Sequence, residues 1–416
     1  MTERPFKKDL QYYRFCLYGF LKNLRLFEPF LLLFFLENEL SFLQIGVLYS
    51  ILEIIRNILE IPAGFFSDIL GRRKTMVTSF AFYILSFVVF YFSYSYPFFI
   101  MAIGLYAIGD AFRTGTHKAM IFTYLRLNGW QDHKVAYYGN TRSWSQIGSA
   151  ISSLLAGLII FYQGNYRDIF LFTVIPYILD LVNVMSYPSG LEGEISKEKS
   201  FRESFRKVGR AFKTSFQSLT IIRALVSVSS HSGFYKAVKD YLQPVVKTFA
   251  LSLPLMAAYS DKQRTAVVVG LIYFVIYLIT SAASRRSGRL KDSFKTFSAP
   301  LNLTLLAGLL IGLIAGVLYE TNILWLAVLF YVGIFVIENL RKPIGMAYIS
   351  KKTDENVLAT VLSVESQTKS LLTAIIAPLL GYLADQFGVG YSLAITSGAL
   401  LVLVPFYYAR RAKNEK

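Results

Sequence analysis

The chain is a succession of long apolar segments, each ended by charged residues, glycine or proline. Because about 20 apolar residues cross the hydrocarbon core of a bilayer as a helix, each segment predicts one transmembrane helix. Transmembrane strands of about 10 alternating residues do not fit segments of this length. The predicted spans lie near 13–36, 42–69, 75–95, 97–122, 136–163, 168–187, 217–246, 263–284, 297–318, 322–345, 357–385 and 390–408.

A polar stretch in the middle of the chain separates six predicted spans from the other six. We expect an all-α polytopic membrane protein with six-helix bundles at 1–190 and 217–416, joined by a cytoplasmic linker at 191–216. The linker is compatible both with a solvated connector and with an amphipathic helix on the membrane surface. The apolar residues at helical spacing within it are Phe201, Phe205, Val208 and Phe212.

The basic residues of the short loops fall almost entirely on one side of the predicted topology. Loops rich in Lys and Arg stay in the cytoplasm, and the loops at 72–74, 197–213 and 285–295 are of this kind. The opposite loops hold only Arg167, Lys262 and Arg264. This alternation predicts cytoplasmic termini, and the long first apolar run predicts a retained helix rather than a cleaved signal.

Composition narrows the class of protein further. With 54% hydrophobic residues among 416, the chain is too apolar for an ordinary soluble protein, so the net charge of +17 reflects topology and not nucleic-acid binding. The single cysteine, Cys16, excludes an intrachain disulfide, and the three histidines are too scattered for a zinc site. We expect no metal, no cofactor and no nucleotide-binding phosphate loop.

Two short segments in the first half of the chain have matches in the second half. The segment 71–74 (Gly-Arg-Arg-Lys) is matched by 288–291 (Gly-Arg-Leu-Lys). A second match joins Gly157 and Gly164 to Gly381 and Gly388. These matches favour duplicated halves, an arrangement in which the substrate site lies between two bundles at the membrane midplane.

The segment 64–74 carries the clearest motif in the chain. Its motif positions are Gly64, Asp68, Gly71, Arg72, Arg73 and Lys74. This pattern resembles the loop between helices two and three of the major facilitator superfamily, although Ile69 replaces the usual arginine. The resemblance implies 12 transmembrane helices in two six-helix bundles, solute transport by alternating access, and a loop that helps to latch the inner gate.

The fifth predicted span carries a second, weaker resemblance. Gly139, Gly148 and Gly157 have the spacing of the glycine-rich motif of that superfamily's drug/proton antiporter-like exporters, with small residues at two other glycine positions and at the expected proline. A small-residue packing face explains the pattern equally well. The resemblance favours export.

Many ionisable residues lie inside the predicted spans, where they normally face a cavity or one another. For proton coupling the candidates are Asp110 first, then Glu28, with Arg113 and Glu53; the resemblance supports Arg113, which lies near the superfamily's span-four arginine. Candidates for the substrate cavity are Lys22, Arg25, Arg56, His117, Arg142, His231, Lys236, Glu338, Glu365 and Lys369. Internal salt bridges are the alternative for each of them, and Glu53 with Arg56 is the pair we expect to be most structural.

These observations predict a monomeric secondary transporter in a bacterial inner membrane that is proton-coupled and exports a small solute. Its partners would be that solute, protons and membrane lipid, without nucleic acid. The dense charge suits a polar or anionic solute. The alternatives are an uptake carrier for organic anions or polar metabolites and, in other classes, a membrane enzyme or a non-transporting receptor.

Overall fold

The computed structural model describes residues 6–192, 219–254, 256–353 and 355–409. These residues form α-helices joined by short turns and 3-10 helices, and no strand occurs among them. The linker helix predicted around 201–212 and the basic C-terminal residues 410–416 lie outside the described residues.

The helices follow the predicted apolar segments in order. The first eight are α1 (Leu10–Leu21), α2 (Leu31–Glu37), α3 (Phe42–Leu70), α4 (Arg72–Phe92), α5 (Tyr96–Arg113), α6 (Thr116–Leu127), α7 (Lys134–Gln163) and α8 (Asp168–Met185). After the linker come α9 (Leu219–Val238), α10 (Leu242–Ser252), α11 (Asp261–Asp292), α12 (Ser298–Glu320), α13 (Leu324–Lys352), α14 (Glu355–Phe387) and α15 (Val389–Tyr407). Ten of the described helical segments are long and apolar enough to cross a membrane. Spans one and seven, each divided between two shorter helices, stay predictions.

The first predicted span is broken in its middle. After α1 the chain leaves the helix, and a 3-10 helix at Glu28–Phe30 precedes α2. Pro29 has no N–H to donate to a continuing helix, and three charged side chains in this stretch favour a polar environment over a regular apolar surface. Three-residue spacing in an α-helix would put Lys22, Arg25 and Glu28 on one face. They lie instead in the stretch between α1 and α2, which is not α-helical.

The fourth and seventh predicted spans are broken as well. Gly115 has a φ of 83° between α5 and α6, a conformation that glycine adopts without steric cost. This turn separates His117 on α6 from Asp110 and Arg113 on α5, so the three do not share a helical face. A 3-10 helix at Lys239–Tyr241 separates α9 from α10.

The contacts between helices divide the chain into two units. Unit 1 comprises the described residues of 1–29 and 55–205. In it α4 packs against α5 and α8, and α1 packs against α7 and α8. Aromatic rings fill its interior: the rings of Phe87 and Tyr177 are 4.8 Å apart between centroids, and those of Phe90 and Phe170 are 4.7 Å apart. Ring pairs at these distances add stabilisation beyond the apolar area that they bury.

Unit 2 comprises the described residues of 30–54 and 206–416. In it α12 packs against α13 and α15, α9 against α14, and α11 against α13. The first half of α3 approaches α14 closely, because a Cβ atom on Gly381 would lie 2.2 Å from the carbonyl oxygen of Phe42. Residues 30–54 thus make their contacts in this unit, and the division at 190 and 217 stays a prediction.

Gly148 is the residue that allows α7 to lie against α1. A Cβ atom there would lie 2.4 Å from the carbonyl oxygen of Phe20, so Gly148→Ala forces the two backbones apart. Overpacking of this kind costs about 1–3 kcal/mol. We expect a lower melting temperature for Gly148→Ala in detergent micelles. Gly139→Ala is the matched control on the same helix: nothing lies within 4 Å of its Cβ, so it should leave the melting temperature unchanged or raise it. Equal effects of the two substitutions would contradict this packing.

Candidate functional site

Asp110 is the centre of a buried ionic network in unit 1. Arg56 donates through Nη2 to Oδ2 of Asp110 at 2.6 Å, and Arg113 donates through Nη2 to Oδ1 at 2.7 Å. The hydroxyl of Tyr83 also donates to Oδ1, at 2.6 Å. One carboxylate therefore accepts charge-assisted hydrogen bonds from two guanidinium groups, which favour its ionised form.

Three helices position this network. Asp110 and Arg113 are one turn apart on α5, so their side chains meet on one face. Arg56 comes from α3 and Tyr83 from α4. The helices α4 and α5 lie close together because Gly109 has no side chain: a Cβ atom there would lie 3.0 Å from the carbonyl oxygen of Ser79. The network thus depends on the packing of α3, α4 and α5.

The irregular segment after α1 contributes further charges to unit 1. Arg25 lies 3.7 Å from Glu28, measured from Nη1 to Oε2. The hydroxyl of Tyr177 donates to the carbonyl oxygen of Lys22 at 3.1 Å, which fixes the backbone of this segment. The ammonium group of Lys22 makes no ion pair or hydrogen bond with another described residue, but it interacts electrostatically with Arg113, Arg25 and Asp110.

Asp180 on α8 is a buried carboxylate that the sequence analysis missed. Its side chain is fully buried, Oδ1 accepts from Nδ2 of Asn183 at 3.1 Å, and Oδ2 has no hydrogen-bond partner among the described residues. Lys22 is near enough to interact with it electrostatically. The signal was present, because Asp180 is an ionisable residue inside the apolar span 168–187.

Two predicted cavity residues of unit 1, His117 and Arg142, form no ion pair with this network among the described residues. The ring of His117 stacks on Tyr18 at 3.5 Å between centroids, and its Nε2 is 3.2 Å from the hydroxyl of Tyr187. Arg142 is exposed and forms no ion pair with the described residues. His117 therefore fills the interior, and Arg142 does not join the ionic network.

The motif at 64–74 forms a tightly bonded turn in unit 1. Gly71 has a φ of 89° and begins the turn into α4. Arg72 donates to Oγ1 of Thr123 on α6 at 2.6 Å. Arg73 forms an ion pair with Glu192 at 3.1 Å, and Glu192 was not anticipated from the sequence. The basic run thus joins α4 to α6 and to the segment after α8.

The second copy of this motif differs in structure from the first. Gly288 lies inside α11, which continues to Asp292, so no turn forms there. The match of Gly164 to Gly388 is better preserved in the structure. Gly164 follows α7 with a φ of 76°, and Gly388 follows α14 with a φ of 89°. These two glycines therefore both follow the end of a long helix with a positive φ.

A buried histidine and carboxylate form the main polar cluster of unit 2. Nδ1 of His231 on α9 lies 2.9 Å from Oε2 of Glu338 on α13. Ser232 donates to the other carboxylate oxygen at 2.7 Å. Nε2 of His231 is buried and has no hydrogen-bond partner among the described residues. The structure thus brings two predicted cavity residues together.

The two predicted cavity lysines of unit 2, Lys236 and Lys369, each lie beside a carboxylate. Nζ of Lys236 is 2.8 Å from Oε2 of Glu53, and Nζ of Lys369 is 3.6 Å from Oε1 of Glu365 on the same helix. Glu53 contacts Lys236 within unit 2, and Arg56 contacts Asp110 within unit 1. The pairing of Glu53 with Arg56 stays a prediction, and charges on other helices are partners that spacing along one helix does not reveal.

Arg341 on α13 is a second buried ionisable residue that the sequence analysis missed. Only 1% of it is exposed. Its guanidinium donates through Nη2 to the carbonyl oxygen of Ser227 at 2.5 Å, and through Nη1 to Thr304 at 3.2 Å and to the carbonyl oxygen of Leu301. Arg341 therefore joins α9, α12 and α13, with main-chain carbonyls as its principal acceptors.

Known proteins resemble this chain in sequence and in fold. The sequence profile of the Major Facilitator Superfamily matches residues 16–364. An uncharacterised MFS-type transporter, YxaM of Bacillus subtilis (strain 168), is 21% identical over 388 residues, covering 92% of this chain and 91% of that protein. The crystal structure of the nucleoside transporter NupG has a TM-score of 0.73 at 12% identity, with 96% of each chain covered. That of a D-xylose-proton symporter has a TM-score of 0.68 at 15% identity, with 97% of each chain covered.

The profile match covers most of the chain, and the structural likeness extends over nearly all of it. At such low identity the solved structures show a shared fold and no more. The ten apolar helical segments agree with a chain that crosses the membrane many times. The chain therefore belongs to the Major Facilitator Superfamily and is a multi-pass membrane transporter, not an enzyme.

Proposed function

We propose that this transporter couples the movement of a small anionic or polar solute to protons by alternating access. It would lie in a bacterial inner membrane, with twelve transmembrane helices and both termini in the cytoplasm. The positive-inside pattern supports the orientation. A related fold occurs in a D-xylose-proton symporter, which supports proton coupling by analogy.

The observation that carries the proposal is a cluster in unit 1 in which four cations accompany three carboxylates. We define the charged cluster of unit 1 by its members, which are Lys22, Arg25, Arg56, Arg113, Glu28, Asp110 and Asp180. Arg56 and Arg113 share the carboxylate of Asp110, and Lys22 has no ion pair among the described residues. In unit 2, by contrast, Lys236 and Lys369 each lie beside a carboxylate of their own. An anionic solute would supply the charge that the cluster lacks.

Asp110 is the group that we assign to proton coupling. Its two guanidinium partners favour the carboxylate, so it would take up a proton only when at least one of them moves away. Arg113 is on the same helix, whereas Arg56 comes from α3. A shift of α3 relative to α5 within unit 1 would therefore change the proton affinity of Asp110. This dependence links proton binding to conformation, which coupled transport requires.

Drug export is the alternative that the glycine motif of α7 supports. In the structure Gly148 allows α7 to approach the backbone of Phe20 on α1. A Cβ atom on Gly139 would have no atom within 4 Å. Close helix packing thus explains Gly148 without a role in export. The charge of the cluster also favours an anion over a lipophilic cation.

Thermal-shift measurements on the purified protein test the substrate class. A ligand that binds the folded state raises the melting temperature, and we expect organic anions to do so more than lipophilic cations or neutral sugars. Lys22→Gln should weaken the response to the anion about tenfold, while Arg142→Gln, which lies outside the cluster, should leave it unchanged. Stabilisation by lipophilic cations alone would contradict the proposal and support the drug-exporter alternative.

A further inference from the structure

A basic pocket lies in unit 1, at the end of the molecule that carries the motif at 64–74. Its volume is about 410 Å³. The described residues that line it are Arg72, Ala119, Phe122, Thr123, Arg126, Gln131 and Lys134. Three of them are cations and none is acidic. We propose that this pocket binds a phosphate group, either that of an anionic phospholipid or that of a soluble phosphate.

Local sequence patterns explain how the wall of the pocket forms. The four residues from α6 recur at three- and four-residue spacing from 119 to 126, so they share one face of that helix. Arg72 is the first residue of α4, and Lys134 is the first residue of α7. Gln131 begins the 3-10 helix that precedes α7. Three helices thus each bring a basic side chain to one concave surface.

Arg72 is held in place, whereas the other two cations remain available. Arg72 donates to Oγ1 of Thr123 at 2.6 Å, which fixes its guanidinium along the wall. The side chains of Arg126 and Lys134 are exposed and make no hydrogen bond or ion pair with the described residues. Both are therefore free, within the described part of the chain, to bind an incoming anion.

The beginning of α7 adds a partial positive charge beside these cations. This helix runs from Lys134 to Gln163, and no side chain caps its first turn. The N-terminus of a long helix favours anions, and phosphate suits it because phosphate carries several acceptor oxygens. Arginine binds phosphate through paired hydrogen bonds, and lysine adds a mobile charge.

The location favours a lipid headgroup as one source of the phosphate. In the proposed orientation the motif at 64–74 faces the cytoplasm, where basic pockets between transmembrane helices bind anionic headgroups. Phe122 supplies an apolar wall next to the basic residues. A bound phosphate would join α4, α6 and α7 at the motif that carries Arg72, and so would stabilise this end of unit 1.

Binding to the purified full-length protein tests the site with two probes. Native mass spectrometry measures how many phosphatidylglycerol molecules remain bound, with phosphatidylcholine as the uncharged reference. Thermal shift at constant ionic strength measures the response to inorganic phosphate against chloride. The double variant Arg126→Gln/Lys134→Gln removes the two available cations. We expect it to weaken binding of phosphatidylglycerol, of phosphate, or of both by about tenfold or more.

A second double variant controls for a general effect of charge. Arg286→Gln/Arg289→Gln removes the same charge from exposed positions on α11 in unit 2 and should leave the affinity unchanged. Loss of phosphatidylglycerol binding alone would support the site and identify the headgroup as its source. Loss of the phosphate response would support the site and show that it accepts soluble phosphate. If neither probe distinguishes the pocket variant from the wild type, or if the control weakens binding as much, the proposal is wrong.

Discussion

Asp110→Asn is expected to abolish solute uptake driven by a pH gradient while solute counterflow remains measurable. The amide cannot exchange a proton, so the solute can still cross in exchange for solute but no longer in response to the gradient. The substitution also leaves Arg56 and Arg113 without their shared counter-charge, which costs about 3 kcal/mol of folding free energy. Uptake and counterflow into liposomes with equal amounts of folded protein separate the two effects.

Tyr83→Phe is the control for that experiment. It removes the hydrogen bond from the Tyr83 hydroxyl to Asp110 and leaves the carboxylate and both guanidinium groups in place. The loss of one such bond costs about 1 kcal/mol, so gradient-driven uptake should persist at a reduced rate. Unchanged gradient-driven uptake in Asp110→Asn would contradict the assignment of proton coupling to this residue. Loss of both uptake and counterflow in Tyr83→Phe would show that the geometry of the network matters more than its proton.

The positions of the helices were largely predictable because the bilayer imposes a length on each apolar segment. Membership of the superfamily, inferred from the motif at 64–74, is confirmed by the profile match over 16–364. The breaks within the spans were not predicted. Hydropathy averaged over a segment does not reveal the irregular stretch around Pro29, and it does not distinguish the positive φ of Gly115 from an ordinary helical glycine.

Contacts inside the site were predictable only where they are local in sequence. Asp110 and Arg113, three residues apart on one helix, do form an ion pair. Glu53 and Arg56 have the same spacing, and each also contacts a charge on another helix. Those contacts between helices depend on tertiary packing, which spacing along one helix does not reveal. Asp180 and Arg341 are both ionisable residues inside apolar spans that the sequence analysis left out. Every charge in an apolar segment is therefore a candidate, whether isolated like Asp180 or close to another charge like Arg341.

Arg341→Lys is expected to lower the free energy of unfolding by about 2–4 kcal/mol, although it keeps the charge. The guanidinium of Arg341 reaches the carbonyl oxygens of Leu301 on α12 and Ser227 on α9 with its two terminal nitrogens. A lysine side chain has one nitrogen and cannot reach both carbonyl oxygens as the two terminal nitrogens of the guanidinium do. The buried ammonium of Arg341→Lys would therefore keep only some of these hydrogen bonds. Thermal or denaturant unfolding in micelles measures the difference.

Two further variants identify the cause of that loss. Thr304→Val removes the contact of Arg341 with the Thr304 hydroxyl at 3.2 Å, together with that hydroxyl's own hydrogen bond to the carbonyl oxygen of Pro300, and should cost about 1 kcal/mol. Arg341→Met removes the buried charge together with its bonds, and both carbonyl oxygens belong to residues within helices. Because an apolar side chain leaves no charge to solvate, we expect Arg341→Met to be less destabilising than Arg341→Lys. If Arg341→Lys were as stable as the wild type, the fork of hydrogen bonds would not be what joins α9, α12 and α13.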